Sequence, residues 1–164
     1  MRRRSVVGCC FLLVLLALLA VSGCSFGKQP PPTSLKASSG PVTVTTDLPS
    51  YATGQAIGVT VTNTSKRTYY TLDNRSGCSI VQLQQYTSSK KQWVSVDGCQ
   101  GYGAAQSLEI TAGLSEPFTL APTAADNTNA WDTGTYRVVL AYSTNPDGTS
   151  NETLAYSAGF TIHG

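Results

Sequence analysis

From Val42 to the C-terminus, apolar residues recur at every second position, the spacing of strands that bury one face. Val42 and Val44 alternate with threonines, and Ile57, Val59 and Val61 alternate with Gly58, Thr60 and Thr62. Tyr136, Val138, Leu140 and Tyr142 share one face of a further run, with Thr135, Arg137, Val139 and Ala141 on the other. The final run aligns Leu154, Tyr156, Ala158, Phe160 and Ile162 on a common side, which predicts core positions for Tyr136, Tyr142 and Tyr156. Between these lie Tyr69 to Leu72, Ile80 to Tyr86, Gln92 to Val96, Leu108 to Ile110 and Glu116 to Leu120. No stretch after residue 24 carries a helical stripe.

Turn-forming residues separate the runs. Leu48 to Gly54 divides the first two, Ser88-Ser-Lys-Lys91 predicts a hairpin, and Asn145-Pro-Asp-Gly148 predicts another between the last two strands. Roughly seven to nine short strands, each with one apolar face, must cover those faces with one another. The expected fold class is all-β, an antiparallel β-sandwich; an eight-stranded closed barrel is the alternative that pattern leaves open.

The N-terminus reads differently. Arg2, Arg3 and Arg4 precede an unbroken apolar run from Phe11 to Val21, about 16 Å of helix and roughly half a bilayer core. Length and charge mark residues 1–23 as a signal peptide. Val21-Ser22-Gly23-Cys24 resembles the lipobox of bacterial lipoproteins. That resemblance implies that the Cys24 thiol receives diacylglycerol, that cleavage falls before it, and that the membrane becomes a partner through the diacylglyceryl-cysteine. More than one acyl chain is needed for stable anchoring. Residues 24–40, with Pro30, Pro31 and Pro32 among Gly, Ser and Lys, read as an extended tether; residues 41–164 read as the domain.

Asp132-Thr-Gly-Thr-Tyr136, just ahead of a strong strand, resembles the tyrosine corner of immunoglobulin-like domains. By that resemblance Tyr136 bonds the backbone upstream, Gly134 gives the tight path and Asp132 supplies the turn hydrogen bond. The immunoglobulin disulfide is missing, because Val138 stands two residues after Tyr136 and the second strand offers only Ile57, Val59 and Val61. Residues 42–162 are more similar to bacterial immunoglobulin-like domains, through Tyr51-x-x-Gly54-Gln, Ile57 to Asn63 and Gly134 to Leu140. A distant similarity to bacterial intracellular proteinase-inhibitor-like domains rests on the same Ile-x-Val-x-Val-x-Asn opening. It implies an inhibitory loop, for which Gly98 to Ala105 and Ala121 to Ala130 are the candidates.

Five cysteines divide simply: Cys9 and Cys10 fall in the signal peptide, Cys24 is the lipid acceptor, and Cys78 and Cys99 form an even pair in an exported domain. They flank the proposed hairpin, and the expected disulfide would close a loop worth about 3 kcal/mol in the chain-entropy picture. Without residues 1–23 the chain has 8 Lys/Arg against 9 Asp/Glu, a net charge of −1, which excludes a cationic nucleic-acid platform. One histidine, His163, and no methionine besides the initiator leave a His triad, a His-rich zinc site or a blue-copper site without parts. Asp126-Asn-Thr-Asn129 and Asp147 to Glu152 are oxygen-rich but do not follow calcium-loop grammar. No metal, cofactor or catalytic residue is expected.

The aromatic residues are the remaining candidate chemistry. Trp93 in a strand and Tyr102 in Gly101-Tyr-Gly103 form the candidate ligand patch. The expected function is a non-enzymatic binding or scaffolding module tethered at the envelope surface, with an envelope protein or a glycan as partner. A proteinase inhibitor and a carbohydrate-binding module are the alternatives.

Overall fold

The computed structural model of the chain describes residues 36–73, 79–96, 106–122, 130–147 and 151–164. They form eleven strands and no helix. In chain order these are β1 (Val42–Thr46), β2 (Ser50–Ala52), β3 (Ile57–Asn63), β4 (Tyr69–Asp73), β5 (Val81–Thr87) and β6 (Gln92–Ser95). They are followed by β7 (Gln106–Ile110), β8 (Ser115–Leu120), β9 (Gly134–Tyr142), β10 (Thr153–Tyr156) and β11 (Phe160–His163). One sheet has the order β1-β3-β8; a larger one runs β2-β11-β9-β5-β6, with β10 also on β9; β4 and β7 form a ribbon. Among the described residues the two main sheets share no ladder and bury one common core, so the fold is an all-β sandwich, antiparallel except for the β2–β11 pair.

The strand count exceeds the seven to nine expected, for identifiable reasons. Ser50–Ala52, read as part of a turn, pairs in parallel with β11 and extends the large sheet by one edge strand. The last run is two strands. On β10, Tyr156 pairs with Val139, but on β11, Phe160 pairs with Tyr136, so Ser157, Ala158 and Gly159 face only Val138 and Arg137. One residue is extra, which is a β-bulge. Ser157, itself buried, holds the bulge in place: its Oγ accepts from Val138 N at 2.9 Å and donates to Ala158 O at 2.8 Å.

The bulge corrects the reading of this run. Phe160 and Ile162 are buried, but Leu154 is 46% exposed and Tyr156 only half-buried. Ala155 and Ser157 point inward instead. Tyr156 is therefore not a core residue.

Period-two patterning accounts for the rest of the core. Val42, Val44, Ile57, Val59 and Val61 from the small sheet share one buried cluster with Val81, Leu83, Val138, Leu140 and Phe160 from the large one. Val59 and Val138 are both buried, so aliphatic packing occupies the region where an inter-sheet disulfide is missing. Phe160 also collects the aromatic contacts at one end, edge-on to Tyr51 at 5.3 Å and stacked with Tyr136 at 6.2 Å.

Two tyrosine hydroxyls fasten that end. Tyr136 donates to Asp132 O at 2.7 Å, so Asp132 contributes its carbonyl to the corner. At Gly134 the chain passes close to Gln85: a Cβ there would meet its Nε2 at 2.8 Å and displace the end of that flexible side chain. Tyr51 donates to Asp47 Oδ1 and accepts from Leu48 N at 3.0 Å, while Gly58 N donates to the same carboxylate oxygen at 3.1 Å. Burial, reinforced by Asp47, pushes the Tyr51 hydroxyl up to about 12; burial, then the Asp132 charge, does the same for Tyr136. Folding thus favours the protonated phenols. That stabilisation is complete below the ordinary value of 10.0 and is lost as pH rises towards 12. The melting temperature should fall steeply between pH 10 and 12, and the Tyr51→Phe/Tyr136→Phe variant, less stable at pH 8, should show a shallower fall. Equal slopes in the two proteins would refute this assignment.

Candidate binding face

The inward residues of β9 leave Arg137, Val139 and Ala141 on the outer face of the large sheet. Gln84 pairs with Arg137 and Gln82 with Val139, so both glutamines stand on the same side. Across β9, the bulge presents Leu154 opposite Ala141 and Tyr156 opposite Val139. At the far edge Trp93 pairs with Tyr86, their ring centroids 5.4 Å apart.

These side chains form a clamp around one cation. The Arg137 guanidinium carbon lies 4.4 Å from the Trp93 ring centroid and 4.0 Å from that of Tyr156. Its Nε donates to Gln84 Oε1 at 2.8 Å. Each ring contact is worth about 0.5–1 kcal/mol at a partly exposed position, and together they fix the plane of the guanidinium. Burial lowers the Arg137 pKa from its ordinary value, yet an arginine stays charged at any physiological pH. No ion pair joins it to a carboxylate of the described residues.

Beside the clamp lies a groove of about 370 Å³. Val139 and Ala141 line it from β9, Gln82 and Gln84 from β5, and Glu152 and Leu154 from the β10 side. Its lining is about as polar as apolar, which suits a ligand that makes hydrogen bonds as well as apolar contacts. Ser38, within the stretch read as tether, docks on the outer edge of β10: its N–H donates to Tyr156 O at 3.0 Å and its Oγ accepts from Tyr156 N at 2.8 Å. These bonds occupy the backbone beside the clamp and leave the Tyr156 ring against Arg137.

Of the residues singled out from sequence, Trp93 belongs to this face. Asp132, Gly134 and Tyr136 sit at the β9 entrance as the corner described above. Cys24, Cys78, Cys99 and Tyr102 lie outside the described residues, as do Gly98 to Ala105, residues 1–35 and most of Ala121 to Ala130. Arg137, Tyr156, Gln84 and Leu154 escaped the sequence reading. Gly159, a glycine inside an otherwise regular strand pattern, was the signal that a bulge could turn Leu154 and Tyr156 outward.

A second polar contact has less chemical potential. Ser50 Oγ lies 3.0 Å from His163 Nδ1 and 3.0 Å from Thr161 Oγ1 at the exposed β2–β11 edge. No carboxylate of the described residues orients the histidine, so the pair lacks the third member that positions a general base. Among the described residues, no group of three or more His, Cys, Asp or Glu side chains is placed to hold a metal ion.

No family model and no curated protein matches the chain. Among solved structures, a mutant β-glucosidase from Listeria innocua in complex with laminaribiose aligns at 15% identity and a TM-score of 0.31. The alignment covers 78% of this chain but only 16% of the enzyme's, so the chain spans a small part of that protein. A likeness this slight carries neither fold nor activity across.

Proposed function

We propose that the chain is a lipoprotein of the bacterial envelope whose sandwich domain binds a partner through the outer face of its large sheet, without catalysis. The observation that carries this reading is the Trp93–Arg137–Tyr156 clamp beside an open, mixed apolar and polar groove. Two ring faces and a glutamine amide set the plane of this cation on an open sheet face, which presents it as a pre-oriented recognition group. The export and anchoring part rests on the lipobox-like Val21 to Cys24, with a Cys78–Cys99 disulfide bracing the hairpin that carries Trp93. The binding reading is favoured over a carbohydrate module at this face. The ring face that a sugar would stack on at Trp93 is taken by Arg137, and Tyr86 packs against the same indole.

Photo-crosslinking of the full chain in its native cells tests the proposal. A photoreactive residue at exposed Leu154 should yield a discrete adduct, and one at exposed Thr119 on β8 of the other sheet should not. No adduct at position 154, or the same adducts from both positions, would overturn the binding reading.

A further inference from the structure

A charge of each sign marks the two ends of the groove. Arg137 lies just beyond one end, outside the lining but bonded through Nε to Gln84 of it, with no bond from either Nη group to another described residue. Glu152 stands at the other, exposed and without an ion pair among the described residues. Thr153, next to Glu152, pairs with Tyr142, so the two charges are separated by five residues of β9, about 17 Å of extended backbone. Between them Ala141 and the exposed Leu154 supply apolar surface over a floor formed by the buried Val139, and Gln82 and Gln84 supply amides that can both donate and accept.

We propose that the groove, together with the Arg137 clamp next to it, binds an extended peptide segment of about five or six residues, seating a carboxylate on Arg137, small apolar side chains over Ala141 and Leu154, and a basic group by Glu152. The inference rests on the binding reading above and adds the class of ligand. Two aromatic faces hold the guanidinium flat, which leaves its Nη groups as a preorganised fork for a carboxylate. A simple apolar chain would leave that fork, both glutamine amides and Glu152 unused. An acidic peptide carrying a second carboxylate would meet Glu152 and be disfavoured. The carboxylate can come from an Asp or Glu side chain or from a chain terminus, and the two sources share this chemistry.

The test uses the full chain in detergent and a synthetic hexapeptide library, acetylated at the N-terminus. Inner positions mix Val, Ala, Ser and Thr. One end carries Asp or Asn and the other Lys or Gln, in both orders, with amidated and free C-termini. Peptides with a carboxylate at one end and Lys at the other should bind about tenfold more tightly than the corresponding Asn peptides. Arg137→Gln should erase the acid-to-amide difference, and Glu152→Gln, at an exposed site that folding does not need, should erase the preference for Lys over Gln while keeping that for acid. Free-acid and side-chain carboxylates are separate arms; preference for either supports the inference and identifies the source.

Absence of binding by every library member, equal binding of acid and amide peptides, or an acid preference that survives Arg137→Gln would each overturn it. If any of these occurs while the Leu154 cross-link persists, the ligand class fails and the binding reading stands. If the cross-link is also absent, both fail.

Discussion

Asn63→Leu should destabilise the domain by about 4 kcal/mol, lowering the melting temperature by roughly 15 °C, although the side chain it introduces is apolar and the site is buried. Asn63 is fully buried at the end of β3 and uses its entire amide. Nδ2 donates to Arg67 O at 2.7 Å and to Ile110 O at 2.9 Å; Oδ1 accepts from Ser65 N at 3.0 Å and Ser65 Oγ at 2.8 Å. The backbone of Asn63 also bonds Leu114 O and Gly113 N, so one residue ties the turn after β3 to the end of β7 and the turn before β8. A leucine would leave Ile110 O and Ser65 N without their side-chain partner and Arg67 O with only the Ser65 hydroxyl, each lost bond costing about 1–3 kcal/mol where water cannot replace it. Asn63→Asp should be worse near neutral pH, because a buried carboxylate would face two carbonyls and lose both donors. Its folded pKa would lie above the unfolded value, so that variant should regain stability as pH falls. Denaturant unfolding at pH 7 and pH 5 checks both variants. A loss under about 1 kcal/mol for Asn63→Leu would mean that the amide is not the joint described.

Much of the sandwich was legible because burial has a period. Residues 136 to 142 alternate in sequence, and the structure buries Tyr136, Val138, Leu140 and Tyr142, with Val139 of the opposite face covered as well. The Ser88-Ser-Lys-Lys91 turn joins β5 to β6 as its composition implies, with Lys91 taking the positive φ of 51° that such a tight connection demands. The parallel pairing of β2 with β11 was not legible, since pairing direction leaves no mark in a three-residue strand bounded by Pro49 and Gly54. The β4–β7 ribbon is likewise a long-range partnership that no local pattern encodes.

The binding face was the least legible part, and one residue explains why. Apolar side chains occupy every second position from Leu154 to Ile162, so the run looks like one uninterrupted strand. An extra residue between Tyr156 and Phe160 turns the first half of the run outward and the second half inward, while the sequence pattern is unchanged. Trp93 could be noticed as an aromatic residue on a strand, but Arg137 gained meaning only once Tyr156 was known to lie over it.

The binding face therefore depends on the bulge, which delivers Tyr156 and Leu154 to it. It also yields the sharpest contrast between two substitutions in one nominal strand. Phe160 is 2% exposed and touches two aromatic rings, so Phe160→Ala should cost about 3–5 kcal/mol through lost burial and the cavity left behind. Leu154 is 46% exposed, so Leu154→Ala should cost about 0.5 kcal/mol or less. Equilibrium denaturant unfolding of these two variants beside the parent chain is the most direct measurement. A severe loss is expected for Phe160→Ala and almost none for Leu154→Ala. Comparable, large losses at both positions would place the two residues on one buried side, remove the bulge, and leave Arg137 without its second ring.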